Sequence, residues 1–260
     1  DLCLVFSANP EDYTNRGRIV TPLKDRIGSV VQTHYPVTRE LGMEITDNSA
    51  WTERGDAIQV HVPGFIREIL EETSRLARQS PHLNQSSGVS VRMSIANFET
   101  AISNAERRGL LLKESPVVVR ISDLSHITAS SCGKMELAMS EDSGDENRLV
   151  SRLLSEAVKI VFDERFKPKR FRCLTEYMEL GEPLHTGDAM QSQALVTQLE
   201  TVPGFSDLIT SITADLEPKK ISSDFDVPLR ASVAEFILDA MHCHNRLNKT
   251  MQDGDNQYGR

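Results

Sequence analysis

The chain has 260 residues, 39% of them hydrophobic and 26% charged, which is enough for one or two domains with a sizeable core. No apolar run approaches the ~20 residues of a helical membrane span, and no signal-peptide pattern is present, so a cytoplasmic protein is expected. The formal net charge of −9 argues against a general nucleic-acid binder, which needs a basic surface to displace counterions.

In chain order, Leu2 to Phe6 is a continuous apolar run, the pattern of a strand buried on both faces of a parallel sheet. Asn9-Pro10 ends it, because proline cannot continue a ladder. Residues 11–26 are polar, with Gly17 and Pro22 as breaks, and residues 27–33 read as a second strand that Pro36 closes. Residues 37–62 carry the single tryptophan, Trp51, and have no clear period. From Pro63 the pattern turns helical: Phe65, Ile66, Ile69, Leu70, Thr73, Leu76 and Ala77 fall at helical spacing, with Glu68, Glu71, Glu72 and Arg75 on the other face, and Ser80-Pro81 stops the helix. Ser86-Ser87-Gly88 is a loop. Ser94 reads as the N-cap of the next helix, whose stripe is Ile95, Phe98, Ala101, Ile102 and Ala105, with Gly109 placed to end it.

Ser122-Asp123 suggests a further helix running to about Leu137. Residues 140–147 are acidic and read as a loop. Leu149, Val150, Leu153, Leu154, Ala157, Val158, Val161 and Phe162 mark a strongly amphipathic helix. Beyond Pro168 helices are expected over 189–199 and 205–216, and a terminal helix through Val233, Ile237, Ala240, Met241, His244 and Leu247. The polar residues 250–260 are expected to fray.

Four features imitate functional motifs. Ile160-Val161-Phe162-Asp163-Glu164 looks like a Walker B strand, but the helical period runs through it. Gly133-Lys134 lacks the upstream Gly and following Ser or Thr of a P-loop. His242-Cys243-His244 has neighbours at i, i+1 and i, i+2, which do not share a helix face. The basic run Lys167 to Arg172 reads as a solvated loop between elements. Cys3, Cys132, Cys173 and Cys243 have no C-x-x-C spacing, so reduced, buried thiols are expected.

The opening segment is the most specific. Ser7-Ala8-Asn9-Pro10-Glu11 follows an apolar strand, and Leu23-Lys24-Asp25-Arg26 precedes Ile27-Gly28. This resembles the back half of an AAA+ ATPase core, in the branch of the magnesium chelatase ATPase subunit and MoxR-like proteins. The resemblance implies an α/β then all-α fold: the end of a parallel AAA+ core sheet over 1–62, a helical lid over 63–168 and a helical extension over 169–260, mostly helical overall. It implies that Asn9 is sensor 1, orienting the attacking water near the γ-phosphate. Arg26, held by Asp25, would be the arginine finger acting in a neighbouring subunit's site, with Arg16 and Arg18 as alternatives for that role. Arg92, in Ser90-Val91-Arg92 ahead of a helix, would be sensor 2, contacting nucleotide from the lid.

The cofactors implied are ATP and Mg²⁺, and the partners are homo-oligomeric ring neighbours with a chelatase or MoxR-type companion subunit; neither nucleic acid nor membrane is expected. The chain contains no G-x-x-x-x-G-K-[ST] and no credible Walker B strand. It therefore reads as the C-terminal portion of a motor, inactive as an ATP hydrolase by itself. The competing expectation is a non-catalytic helical protein-interaction module from a truncated or split gene. Transcriptional activation through the related AAA+ activators is the weaker third, for want of a helix-turn-helix and of basic charge.

Overall fold

The computed structural model describes residues 2–7, 21–52, 54, 55, 58–84, 88–138, 144–217, 221–252 and 255–260. The elements are α1 (Thr21–Lys24), α2 (Arg39–Ser49), β1 (Val60–His61), α3 (Gly64–Gln79), α4 (Arg92–Leu112) and β2 (Val117–Val118). A 3-10 turn (Ser122–His126) leads into α5 (Ile127–Ser131), followed by α6 (Gly144–Asp163). A second 3-10 turn (Pro168–Phe171) precedes α7 (Arg172–Met178), β3 (Leu184–Gly187), α8 (Ser192–Leu199) and α9 (Phe205–Leu216). A third (Ser223–Phe225) opens α10 (Asp226–Cys243), and β4 (Asn248–Gln252) and β5 (Asp255–Gly259) follow. The described chain is mostly helical. β1 pairs with β2 in parallel, and β3, β5 and β4 form an antiparallel sheet in that order. Among the described residues no helix is long and apolar enough to cross a membrane.

The amphipathic periods carry the core. In α3, Phe65, Ile66, Ile69, Leu70 and Ala77 are buried, and Ser80-Pro81 ends the helix as the sequence predicts. In α6, Leu149, Val150, Leu153, Ala157, Val158, Val161 and Phe162 are buried. The helical setting of residues 160–163 removes the strand that a Walker B carboxylate needs. α3 and α6 pack along each other, and α10 lies against α6, α8 and α9. The helix α10 is buried on nearly all sides, from Leu229 to Met241. Phe162 sits among Phe166, Phe171 and Phe236 with centroids 5.6, 5.5 and 6.1 Å away, a tilted to edge-on cluster that favours the aromatic quadrupoles. One continuous core runs from Val62 to Tyr258.

Several expectations are corrected. The two apolar runs at the start are not strands here: residues 2–7 and 29–36 are irregular and exposed, with Val5 at 88% and Val31 at 86% accessibility. A strand needs a ladder partner, and the described residues supply none to either run. Glu71 and Glu72 are not on a solvated face. They are buried because α2, within the stretch that showed no clear period, lies across α3. A Cβ on Gly42 of α2 would sit 2.4 Å from the Glu71 carboxyl, so a larger residue there would force the Glu71 side chain to move. Ser94 is not an N-cap. α4 begins at Arg92, and Ser94 is buried within its first turn.

Gly109 does not stop α4 either. It continues to Leu112, where Lys113 takes the left-handed conformation at φ 55°. Gly109 instead permits close packing, since a Cβ there would meet Glu114 O and Val117 Cγ1 at 2.9 Å. The helix expected to reach Leu137 ends at Ser131, because Gly133 turns the chain at φ 76°. The polar tail is a β-hairpin, not a frayed end: Asn256 and Tyr258 of β5 alternate inward, and the Tyr258 hydroxyl donates to Asp239 Oδ1 at 3.1 Å. The four cysteines are free, Cys3 is exposed and the other three are partly exposed, so none is the fully buried thiol expected.

An ionic cluster ties these elements together. Arg108 and Arg120 are both 0% exposed. Arg108 donates from Nε and Nη2 to the two carboxylate oxygens of Asp123 at 3.1 and 3.0 Å, and from Nη2 to Val118 O at 2.8 Å. The same Asp123 accepts the backbone N–H of Arg120 at 2.8 Å. Arg120 donates to Met190 O at 2.9 Å and to Ser192 Oγ, and lies 3.8 Å from Glu235 Oε1. Glu235 accepts from Ser122 N–H at 2.9 Å, and Glu114 accepts from Ser192 N–H at 3.0 Å. Burial opposes the charge on Arg108, but Asp123, Glu235 and Glu114 outweigh it and hold its pKa above the ordinary value. For Arg120, burial and the repulsion of Arg108 prevail and push it down. Burial likewise pushes the Glu235 carboxyl up.

Two predictions follow from these contacts. Asp123→Ala leaves Arg108 buried without its bidentate partner and Arg120 N–H unpaired. It should cost about 3–5 kcal/mol in denaturant unfolding, whereas Arg148→Ala, at an exposed position, should stay within about 0.5 kcal/mol. Glu217 accepts from Gly64 N–H, the first residue of α3, at 2.7 Å. Burial raises its pKa, but His61 and the Gly64 amide outweigh that and hold it below the usual carboxylate range. Its contribution is therefore present above the unfolded carboxylate pKa of about 4.3 and is lost as pH falls through the lower folded value. Glu217→Gln should destabilise the protein at pH 7, with the gap to wild type closing below about pH 4.

Candidate functional site

Of the residues singled out in sequence, Asn9, Arg16 and Arg18 lie outside the described residues. Arg26 follows α1, is exposed, and donates from Nη1 to Pro22 O at 2.8 Å, a bond that folds the guanidinium back over its own turn. Asp25 shows no ion pair with it among the described residues.

Arg92 is the first residue of α4, exposed, and among the described residues its guanidinium has no hydrogen-bonding or ionic partner. Its setting is unusual for a cation. α4 has 21 residues, no acidic residue in its first turn and no capping side chain on Val91. The backbone N–H of Arg92 donates to Ser90 Oγ at 3.3 Å and that of Met93 to Ser90 O at 2.9 Å. A helix N-terminus carries about half a positive charge, so an arginine there is disfavoured unless an anion lies against both. The arginines near the other end of α4 are satisfied: Arg107 pairs with Asp188 at 2.6 Å and Arg108 lies in the buried cluster.

The loop ahead of Arg92 is held by a second set of contacts. The Tyr35 hydroxyl accepts from Val89 N–H at 3.0 Å. Arg78 of α3 donates from Nε to Val89 O at 3.2 Å and from Nη1 to Glu71 at 3.1 Å, and its guanidinium lies over the Tyr35 ring at 5.1 Å. Gly88 has φ 66°, and a Cβ on it would stand 2.3 Å from the Tyr35 hydroxyl. The segment downstream of Arg26 is thereby joined, through Tyr35, to the turn that launches Arg92. Sequence reasoning missed both Tyr35 and Arg78. Both hold the backbone of Val89, from 54 and 11 residues away, and no spacing rule marks such contacts.

α2 reinforces the same end of the structure. Arg39 donates to both oxygens of Glu164 at 3.0 and 2.6 Å and lies 3.6 Å from Glu72, and Arg67 reaches Asp47 at 2.8 Å. The Glu164 hydrogen bond leads the influences on Arg39, ahead of burial, and raises its pKa.

The remaining motif-like residues do not converge. His242 Nδ1 lies 3.0 Å from Leu247 O, whereas His244 lies 3.0 Å from Asp163 and its ring is 5.6 Å from Phe162. The Cys243 thiol pKa is pushed up to about 12, first by burial and then by Asp239, so it is a neutral thiol at neutral pH. Among the described residues no group of three or more His, Cys, Asp or Glu side chains is arranged to hold a metal ion.

The chain matches no protein-family model, and comparison with curated proteins and with solved structures returns no match to either.

The clamp ahead of Arg92 is directly testable. Gly88→Ala should destabilise the protein by about 1–3 kcal/mol, through the left-handed φ and the contact with Tyr35. Tyr35→Phe should cost about 1 kcal/mol by leaving Val89 N–H unpaired. Combined, they should cost less than their sum, since each disturbs the same contact; additive losses in denaturant unfolding would show that Tyr35 and Gly88 are not coupled.

Proposed function

We propose that this chain is the sensor, finger and lid portion of a magnesium chelatase-like or MoxR-like AAA+ ATPase, which couples ATP hydrolysis in an oligomeric ring to remodelling of a partner or to metal insertion. The observation that carries the reading is Arg92. It is an exposed cation, without a partner among the described residues, in the first turn of a long helix, in a helical region that follows a segment resembling sensor 1 and the arginine finger. Two arginines on separate elements, Arg26 and Arg92, suit the two ends of one reaction: Arg92 faces the nucleotide of its own subunit, and Arg26 reaches the γ-phosphate of the neighbour's. The exposed apolar residues of the opening segments, among them Leu4, Val5, Phe6, Val30 and Val31, support the same reading. A parallel AAA+ core sheet would cover them, and this sequence does not contain the P-loop and Walker B segments that the rest of such a sheet carries.

The chain's own part in holding Mg-ATP is thus electrostatic. Magnesium ligands and the phosphate cradle belong to the P-loop and Walker B segments, and when bound the Mg-ATP supplies the transferable phosphoryl group. Arg92 screens nucleotide charge from the lid side, Arg26 offsets charge that builds in the transition state, and Asn9 orients the attacking water.

The test is made on the complete protein in which this chain occurs. That protein should hydrolyse ATP. Arg26→Ala should abolish turnover while leaving nucleotide affinity intact, and Asn9→Ala should impair turnover more than affinity. Arg92→Ala should weaken nucleotide binding by about tenfold, or about 1.4 kcal/mol. Absence of hydrolysis, or equal turnover in wild type and Arg26→Ala, would overturn the reading in favour of a non-catalytic helical interaction module.

A further inference from the structure

The basic run at 167–172 is more than a solvated connector. The 3-10 turn Pro168–Phe171 buries Phe171 against Phe162 and Phe166, and this anchoring turns the charged neighbours outward. Arg170 lies over the Phe166 ring at 5.5 Å, and Lys169 and Arg172 face a cleft of about 470 Å³. The opposite wall is the end of α10. There Asn245, at φ 55°, reverses the chain, Arg246 N–H closes the turn by donating to Met241 O at 2.9 Å, and Leu247 returns to the core. That turn sets Asn245, Arg246 and Asn248 along the cleft, with Thr175 of α7 across from them.

The charge of this cleft is opposite to that of the chain. It is lined by four cations and one carboxylate in a protein of net charge −9. Arg172 is engaged by Glu176 at 2.6 Å, and Arg260 pairs with Glu179. Lys169 and Arg246 have no ionic partner among the described residues, and both are exposed. Two uncompensated positive charges with amide and hydroxyl groups between them match a phosphate, which carries about two negative charges and three acceptor oxygens, better than a single carboxylate. A planar guanidinium and a mobile ammonium together suit that geometry. Among the described residues the lining contains no Phe, Tyr, Trp or His, so a nucleobase would find no aromatic ring to stack on. Pro168 adds a small apolar surface, with Met241 and Leu247 buried behind the wall, and the volume is that of a small-molecule site.

We propose that the cleft between α7, the end of α10 and the β4–β5 hairpin binds a small, non-aromatic phosphate compound, such as a diphosphate or a sugar phosphate. Lys169 and Arg246 hold its charge. The site shares no residue with the Arg92 region and does not depend on the ATPase reading.

Titration calorimetry on the 260-residue chain tests this with four probes: pyrophosphate, glucose 6-phosphate, citrate as a carboxylate of comparable charge, and ATP as an aromatic phosphate. Pyrophosphate and glucose 6-phosphate should bind, and more weakly as salt is raised. Lys169→Ala and Arg246→Ala should each weaken both by about tenfold without changing the thermal midpoint, while Arg148→Ala should leave them unchanged. Four results would each overturn the proposal: no binding of either non-aromatic phosphate, affinities indifferent to both substitutions, citrate binding as tightly as pyrophosphate, or ATP binding at least tenfold more tightly than pyrophosphate.

Discussion

The two buried arginines of the α4–β2 junction are the constraint on which the rest depends. Taking a guanidinium out of water costs several kcal/mol even after relaxation, so Arg108 and Arg120 can be buried only where carboxylates and carbonyls surround them. Those partners come from five places in the sequence: Glu114 after α4, Val118 of β2, Asp123 in the following turn, Met190 and Ser192 around the start of α8, and Glu235 in the middle of α10. Meeting both charges therefore fixes the relative positions of α4, α8 and α10 at once. Apolar packing alone would leave these helices freer to slide, because dispersion and burial are non-directional, whereas a bidentate guanidinium–carboxylate pair has one geometry. The network is not complete. Arg120 Nε, Glu235 Oε1 and Ser122 Oγ have no hydrogen-bond partner among the described residues, in line with the burial that lowers the pKa of Arg120 and raises that of Glu235.

α4 passes that constraint to the other end of the molecule. It is about 30 Å long, with Arg108 near one end and Arg92 at the other. The second end is held by a different device, the Tyr35–Val89–Arg78–Glu71 chain, which uses an aromatic hydroxyl, a stacked guanidinium and a buried carboxylate. A helix pinned at both ends keeps its N-terminus in place. Arg92 thus gains the fixed origin that a cation needs if it is to meet an anion in a defined position, while its own side chain has no partner among the described residues. The basic cleft at the end of α10 is organised by the same principle at a smaller scale: Phe171 and Leu247 are anchored in the core, and the charged residues beside them are left at the surface.

The helices were legible because their driving force is local in the chain. The stripes of α3 and α6 repeat at the helical period, and each period predicts the buried face within the same stretch of residues. What was misread was decided elsewhere. Glu71 and Glu72 look solvated until α2, a segment with little periodicity of its own, is laid across them. Gly109 looks like a stop until β2 is brought against it. The β4–β5 hairpin has no apolar alternation to announce it; Tyr258 and Asn256 are buried because α10 offers Asp239 and β3 offers Thr186. Tyr35 and Arg78 carried no signal as site residues, since both act on the backbone of a loop outside their own elements.

The sequence by itself determined the helical character of the chain, the buried faces of α3 and α6, the stop at Ser80-Pro81 and the absence of a P-loop, because each of these is set by neighbours within one or two turns. Only the tertiary structure decided which polar groups would be buried, where the small sheets form and which arginines have no partner among the described residues. Those outcomes depend on pairing across the chain: a carboxylate can be buried only when a distant arginine meets it, an apolar run becomes a strand only when another strand supplies its hydrogen bonds, and a surface arginine stays free only when no carboxylate is folded within its reach.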